Sequence, residues 1–181
     1  MKLDSMLQRD AEITARIRLS NQAGWVHRLF AFVAHSGDSW FWLLGLVLVW
    51  FVATPYWRAR AAFIAIGMVF LAVFVLGIKF TVRRRRPEGE WGGIYRNTDP
   101  HSFPSGHASR AAMLAVLAIG LGPAWFGIVL LIWAPIVSLA RVLMGVHYLS
   151  DVIAGLLIGT VAGLVFLSLH PLVTSLLPFL F

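Results

Sequence analysis

Residues 111–140 read AAMLAVLAIGLGPAWFGIVLLIWAPIVSLA, a run without one charged side chain. A helix crosses a hydrocarbon core in about 20 residues, so the run is too long for a single span. Gly120, Gly122 and Pro123 supply a break within it. The reading is therefore one helix from about Ala108 to Leu121 and another from about Ala124 to Leu143. The same logic extends outward. Ser39–Trp57 is uncharged and rich in Trp, Leu and Val, with Arg58 and Arg60 beyond Pro55, and Ala61–Ile78 stops at Lys79. On the C-terminal side Asp151–Leu169 ends before His170 and Pro171. The expected fold class is all-α: a polytopic membrane bundle of about five transmembrane helices. The tail to Phe181, interrupted by Pro178, is expected to lie along the interface or pack on the bundle.

Composition agrees. Of 181 residues 59% are hydrophobic and 13% charged, and the mean hydropathy is +0.80. A soluble domain of this length cannot bury that much apolar surface, so lipid must be the solvent for much of it. The net charge of +7 does not point to nucleic acid. The basic residues cluster at the edges of apolar blocks, where they meet lipid phosphates or an anionic substrate. The absence of cysteine excludes disulfides, thiolate metal sites and a cysteine nucleophile. The N-terminal stretch is charged throughout and has no apolar core of the kind a cleaved signal carries. Between residues 6 and 35, Ile13, Ile17, Trp25, Leu29, Phe30 and Phe32 mix with Arg16, Arg18, His27 and Arg28, as in amphipathic interfacial helices. This divides the chain into an amphipathic segment, 1–38, and a membrane domain, 39–181, whose polar motifs lie within 79–151.

Chain direction alternates across successive spans, so three polar clusters are expected on one membrane face. The first is KFTVRRRRP, Lys79–Pro87. A helix continuing past the span would align Lys79, Arg83 and Arg86, either as a basic stop at the membrane surface or as a seat for a phosphate. The second is HSFPSGHAS, His101–Ser109. Ser105 and Gly106 before a helix start can cap the helix or offer N–H groups to an anion, and His107 in the first turn can exchange a proton. In RVLMGVHYLSD, Arg141–Asp151, His147 and Asp151 are four apart. A carboxylate holding one imidazole nitrogen leaves the other as a base or nucleophile, unless the pair is purely structural. Gly155, Gly159 and Gly163 continue that stripe as a ridge for close helix packing. Arg96, His101 and Arg110 read as surface residues, and His27, His35 and His170 receive no role. Cations around His107, His147 and Asp151 disfavour a metal there, and no cofactor is expected.

These motifs resemble those of the type 2 phosphatidic acid phosphatase superfamily. Lys79 with Arg86-Pro87 matches K-x6-R-P, Pro104-Ser105-Gly106-His107 matches P-S-G-H, and Arg141, His147 and Asp151 match S-R-x5-H-x3-D except that Ala140 replaces the serine. The resemblance implies a metal-independent membrane phosphatase acting through a phosphohistidine. His147 would attack phosphorus with Asp151 holding its ring, and His107 would protonate the leaving group. Lys79, Arg86, Ser105, Gly106 and Arg141 would hold the phosphoryl oxygens. The implied substrate is a lipid phosphate or isoprenoid (di)phosphate in a bacterial-type cytoplasmic membrane, with membrane lipids as the other partner. A transporter or lipid-binding protein that uses the cations only to hold anions is the alternative. The excess of Arg and Lys on the site-bearing face points to the cytoplasm, whereas many relatives work at the outer face. The loop Glu88–Pro100, with Trp91, Tyr95 and Arg96, is expected to lie over the entrance.

Overall fold

The computed structural model describes residues 2–19, 24–88 and 99–180. Most of the expected entrance loop lies outside them. Among the described residues the chain forms eight α-helices and a C-terminal 3-10 turn, Pro178–Leu180. The helices are α1 (Lys2–Ile17), α2 (Gly24–His35), α3 (Ser39–Val52), α4 (Pro55–Val82), α5 (Gly106–Leu121), α6 (Ala124–Leu143), α7 (Leu149–Ser168) and α8 (His170–Leu176).

α4, α6 and α7 are each long and apolar enough to span a membrane. α2 and α3 qualify as a pair bent by 53°, and the 16-residue α5 is a shorter apolar helix. The protein is thus a multi-pass membrane bundle: α3 to α7 fall where five spans were expected, but among the described residues three helices qualify as spans alone and a fourth only as the bent α2–α3 pair. The first junction falls earlier than the sequence reading placed it. α3 ends at Val52, and Pro55, whose missing N–H costs nothing in a first turn, starts α4. Arg58 and Arg60 therefore ride inside α4. Arg60 is satisfied there, donating through Nε to the Leu121 carbonyl (2.7 Å) while its guanidinium sits 3.4 Å from the Tyr56 ring centroid.

α5 is the central helix, packed between α6 and α7. Met113 and Leu117 meet Phe63, Leu71, Val75 and Phe166 in one core cluster, while Leu114, Ala115 and Ala118 meet Met68 and Leu130 in another. Phe70, Phe74, Ile132, Leu157 and Val161 stay exposed and form the lipid-facing belt. Lipid is as apolar as these side chains, so helix association must come from close packing and polar contacts. The glycine ridge of α7 supplies the close packing. A Cβ at Gly155 would lie 2.7 Å from the Ser105 carbonyl oxygen, and one at Gly159 would overlap the Ser109 backbone.

Gly159→Ala therefore forces α7 off α5, against backbone that cannot turn aside. Thermal unfolding in detergent is expected to show a loss of about 1–3 kcal/mol. Gly45→Ala, where a Cβ meets nothing within 4 Å, serves as the neutral comparison.

Candidate active site

α4 ends where Arg83 adopts a left-handed conformation (φ 53°). The helix therefore does not carry Lys79, Arg83 and Arg86 along one face as the spacing suggests, and Arg83 is exposed. Instead the chain turns back. Ser102 N–H donates to the Arg84 carbonyl (2.8 Å), and Arg85 and His101 form an antiparallel bridge. This pairing brings Arg86 inward beside Lys79.

A cavity of about 170 Å³ opens at this end of the bundle. Lys79, Arg86, Asp99, Gly106, His107, Arg110, Arg141 and His147 make its polar wall, and Met68, Leu71, Ala72, Val75 and Leu76 of α4 make its apolar wall. Asp99 joins the first two cations. Its Oδ2 accepts from Lys79 Nζ (2.7 Å) and Arg86 Nη2 (2.9 Å). Arg86 also donates to the carbonyls of Asp99 (2.7 Å) and Val146 (2.9 Å). Arg141, at the end of α6, is fully buried. Ala140 beside it packs against Ala34 of α2 and Met144. The side chain at the motif's missing serine therefore faces α2 and not the cavity.

His147 precedes α7 and is 1% exposed. Arg86 Nη1 lies 3.1 Å from its Nε2. Arginine has no acceptor, so Nε2 must supply the lone pair and the ring proton sits on Nδ1. Nδ1 lies 3.5 Å from Asp151 Oδ2. Asp151 is itself fixed, accepting the Tyr148 N–H on Oδ2 (2.9 Å) and Arg84 Nη1 on Oδ1 (2.7 Å). Burial, with the charges of Arg86, Arg141 and Lys79, holds the His147 imidazole well below the ordinary histidine range. The result is a neutral imidazole, oriented by its tautomer, among fixed cations.

Ser105 is buried behind the cavity wall. Its hydroxyl caps α5 by accepting from Ala108 N–H (3.4 Å), and its own N–H donates to the Asp151 carbonyl (3.0 Å). That hydrogen bond joins the PSGH turn to the His147–Asp151 pair. Gly106 lines the cavity. His107 follows in the first turn of α5, its Nε2 2.6 Å from Asp38 Oδ1 in the α2–α3 turn. Among the described residues no three His, Asp or Glu side chains are grouped to hold a metal ion.

The profile of the PAP2 superfamily matches residues 60–175, more than half of the chain. The chain belongs to the PAP2 superfamily. This is the type 2 phosphatidic acid phosphatase family that the motifs resemble. The PAP2 chain is 32% identical over 148 residues to an undecaprenyl-diphosphatase of Sulfolobus acidocaldarius, covering 77% of this chain and 68% of that one. It is 34% identical over 135 residues to a decaprenylphosphoryl-5-phosphoribose phosphatase of Mycobacterium tuberculosis, covering 72% and 73% respectively. Among solved structures, a transmembrane PAP2-type phosphatidylglycerolphosphate phosphatase from Bacillus subtilis superposes with a TM-score of 0.75 at 22% identity, over 92% of this chain and 87% of that one. Aquifex aeolicus LpxE gives 0.67 at 21% identity, over 87% and 93%. These likenesses bear out the expected family, membrane-helical fold and phosphatase class.

The sequence reading missed several residues of this PAP2 site. Asp38, Asp99 and Arg84 come from turns or from within the RRRR run, and only the folded chain brings them in. Arg84 spans two carboxylates, Asp151 and Asp10 of α1 (2.7 Å each), with its guanidinium 3.9 Å from the Tyr148 ring centroid. Arg110 lines the cavity instead of the surface, and its place three residues after His107 on the same helix was the available signal.

The His147 environment has a measurable consequence. NMR titration of labelled histidines is expected to put its midpoint well below 6.5, the ordinary value. Arg86→Gln removes a neighbouring cation and should move that midpoint upward. A wild-type midpoint at or above 6.5 would contradict the described charge balance.

Proposed function

We propose that the protein is a membrane phosphatase that removes a terminal phosphate from an isoprenoid or other lipid phosphate through a phosphohistidine, in a bacterial-type cytoplasmic membrane. The observation that carries this reading is His147: a neutral imidazole with its Nε2 lone pair turned into a cavity of cations. Phosphoryl transfer asks mainly for positioning and charge stabilisation, and this cavity is built for both.

In the proposed reaction the substrate phosphoryl group enters among Lys79, Arg86 and Arg141, beside the Gly106 N–H at the start of α5. Ser105 fixes that turn from behind. Arg86 exchanges its contact with Nε2 for the phosphoryl oxygens and releases the nucleophile. Nε2 forms the P–N bond as the P–O bond to the lipid breaks, and Asp151 stabilises the charge that develops on the ring. His107, as imidazolium, gives a proton to the departing alkoxide. Its neutral ring then takes a proton from water as the water oxygen forms the new P–O bond. The P–N bond breaks, inorganic phosphate leaves, and His107 is again an imidazolium.

The substrate class has two supports. The S. acidocaldarius and M. tuberculosis relatives are named for polyprenyl-linked phosphates. The wall from Met68 to Leu76 is apolar and continuous with the lipid-facing surface of α4, so a lipid tail can stay in the membrane while its head group enters.

Purified protein is expected to release phosphate from polyprenyl phosphates with EDTA present, and His147→Ala should lose that release by at least ~10³-fold. Undiminished release from the variant would rule out the mechanism. Asp99 holds the two cations that the phosphoryl group would engage. Asp99→Asn should therefore tighten competitive inhibition by inorganic phosphate by about tenfold, in line with the strength of charge-assisted hydrogen bonds.

A further inference from the structure

Asp38 is the N-cap residue of α3, yet its carboxylate makes no capping hydrogen bond. An aspartate in that position ordinarily accepts a backbone N–H of the first turn. Here Oδ1 meets His107 Nε2 at 2.6 Å and Oδ2 meets His35 Nδ1 at 3.1 Å. The turn that presents it is tightly braced. Ser36 takes the indole N–H of Trp42 on its carbonyl (2.9 Å) and that of Trp133 on its hydroxyl (3.0 Å). The Gly37 carbonyl accepts from Arg110. A Cβ at Gly37 would come within 3.2 Å of the His107 ring and 2.9 Å of Val137, so only glycine lets the turn lie this close. The carboxylate is thus directed at the imidazole by a rigid turn on a separate element.

We infer that Asp38 is the positioning residue for His107, fixing the ring through Nε2 and stabilising its protonated form, so that proton exchange with the substrate runs through Nδ1. This rests on the reading of His107 as the proton donor to the leaving group. The site then contains a histidine–carboxylate pair on each side of the scissile bond. His147 and Asp151 supply the nucleophile, and His107 and Asp38 supply the proton. Their surroundings set them apart. Arg86 lies on Nε2 of His147 at 3.1 Å, whereas the carboxylate of Asp38 lies on Nε2 of His107 at 2.6 Å, with Arg110 of its own helix and Arg141 of α6 lining the same cavity. Lys79 of α4 lines the same cavity, and His35 of α2 shares the carboxylate from the exposed side. Nε2 given to a carboxylate favours imidazolium, the form an acid catalyst needs at the start of the reaction.

The test uses the full chain in detergent and compares kcat/KM for farnesyl phosphate, whose alkoxide needs a proton to leave, with that for p-nitrophenyl phosphate, whose phenolate does not. kcat/KM reports steps only through leaving-group departure, so later hydrolysis of the phosphoenzyme does not blur the comparison. Asp38→Asn is expected to lower kcat/KM for the alkyl phosphate by about tenfold or more. It should leave the p-nitrophenyl value within about threefold, and that retained activity shows the variant to be folded. The alkaline limb of the alkyl-phosphate profile should also move to lower pH, because the imidazolium has lost its anion. Equal losses on the two substrates, or none on either, would overturn the inference. His147→Ala, measured alongside, is expected to lose both activities. If it retained them, the phosphohistidine reading itself would fail, independently of the Asp38 result.

Discussion

The architecture depends on how closely α7 approaches α5. Gly155 and Gly159 let the α7 backbone lie against the carbonyls of Ser105 and Ser109, and the Ser105 N–H closes the contact on the Asp151 carbonyl. In a bilayer, where no water drives helices together, such backbone contact is among the strongest constraints available. It sets the distance between the turn that begins α5 and the turn that begins α7. Every polar group of the cavity is placed relative to those two turns.

A second constraint is charge. Lys79, Arg86, Arg110 and Arg141 surround one small cavity, and like charges at that spacing in a poorly polarisable interior repel strongly. The protein answers with a few well-placed carboxylates. Asp99 ties Lys79 to Arg86, and Asp38 sits between two histidines and near Arg110. Asp10 and Asp151 share Arg84. Nearly all the partners come from different segments, so the network holds the ends of the helices together as well as neutralising them.

What the sequence revealed follows from the range of each signal. The spans were legible because hydropathy is a local property and the charge-free run from Ala111 to Ala140 needs no tertiary information. The motif residues were legible because their spacing within 79–151 is a one-dimensional pattern. The boundary at Trp57 was misplaced because Arg58 and Arg60 look like a stop, and only the Leu121 carbonyl and the Tyr56 ring show how Arg60 is accommodated within a helix. Arg83 was wrongly aligned with Lys79 and Arg86 because a left-handed residue ends the helix where no glycine announces it. Asp38 belongs to none of the sequence motifs. Its side chain serves a residue 69 positions away, and local pattern cannot report a contact of that separation.

The N-terminal helix has a mechanical meaning. Asp10 of α1 accepts the Ser150 N–H (3.1 Å), and the Thr14 hydroxyl accepts that of Leu149 (3.2 Å), while Met6, Leu7 and Ile13 are left exposed. An amphipathic helix with that apolar surface rests at the boundary between head groups and acyl chains. Its polar side is fastened to the first turn of α7, so α1 acts as a float. Any shift of α1 along that boundary is passed directly to the turn that carries His147 and Asp151.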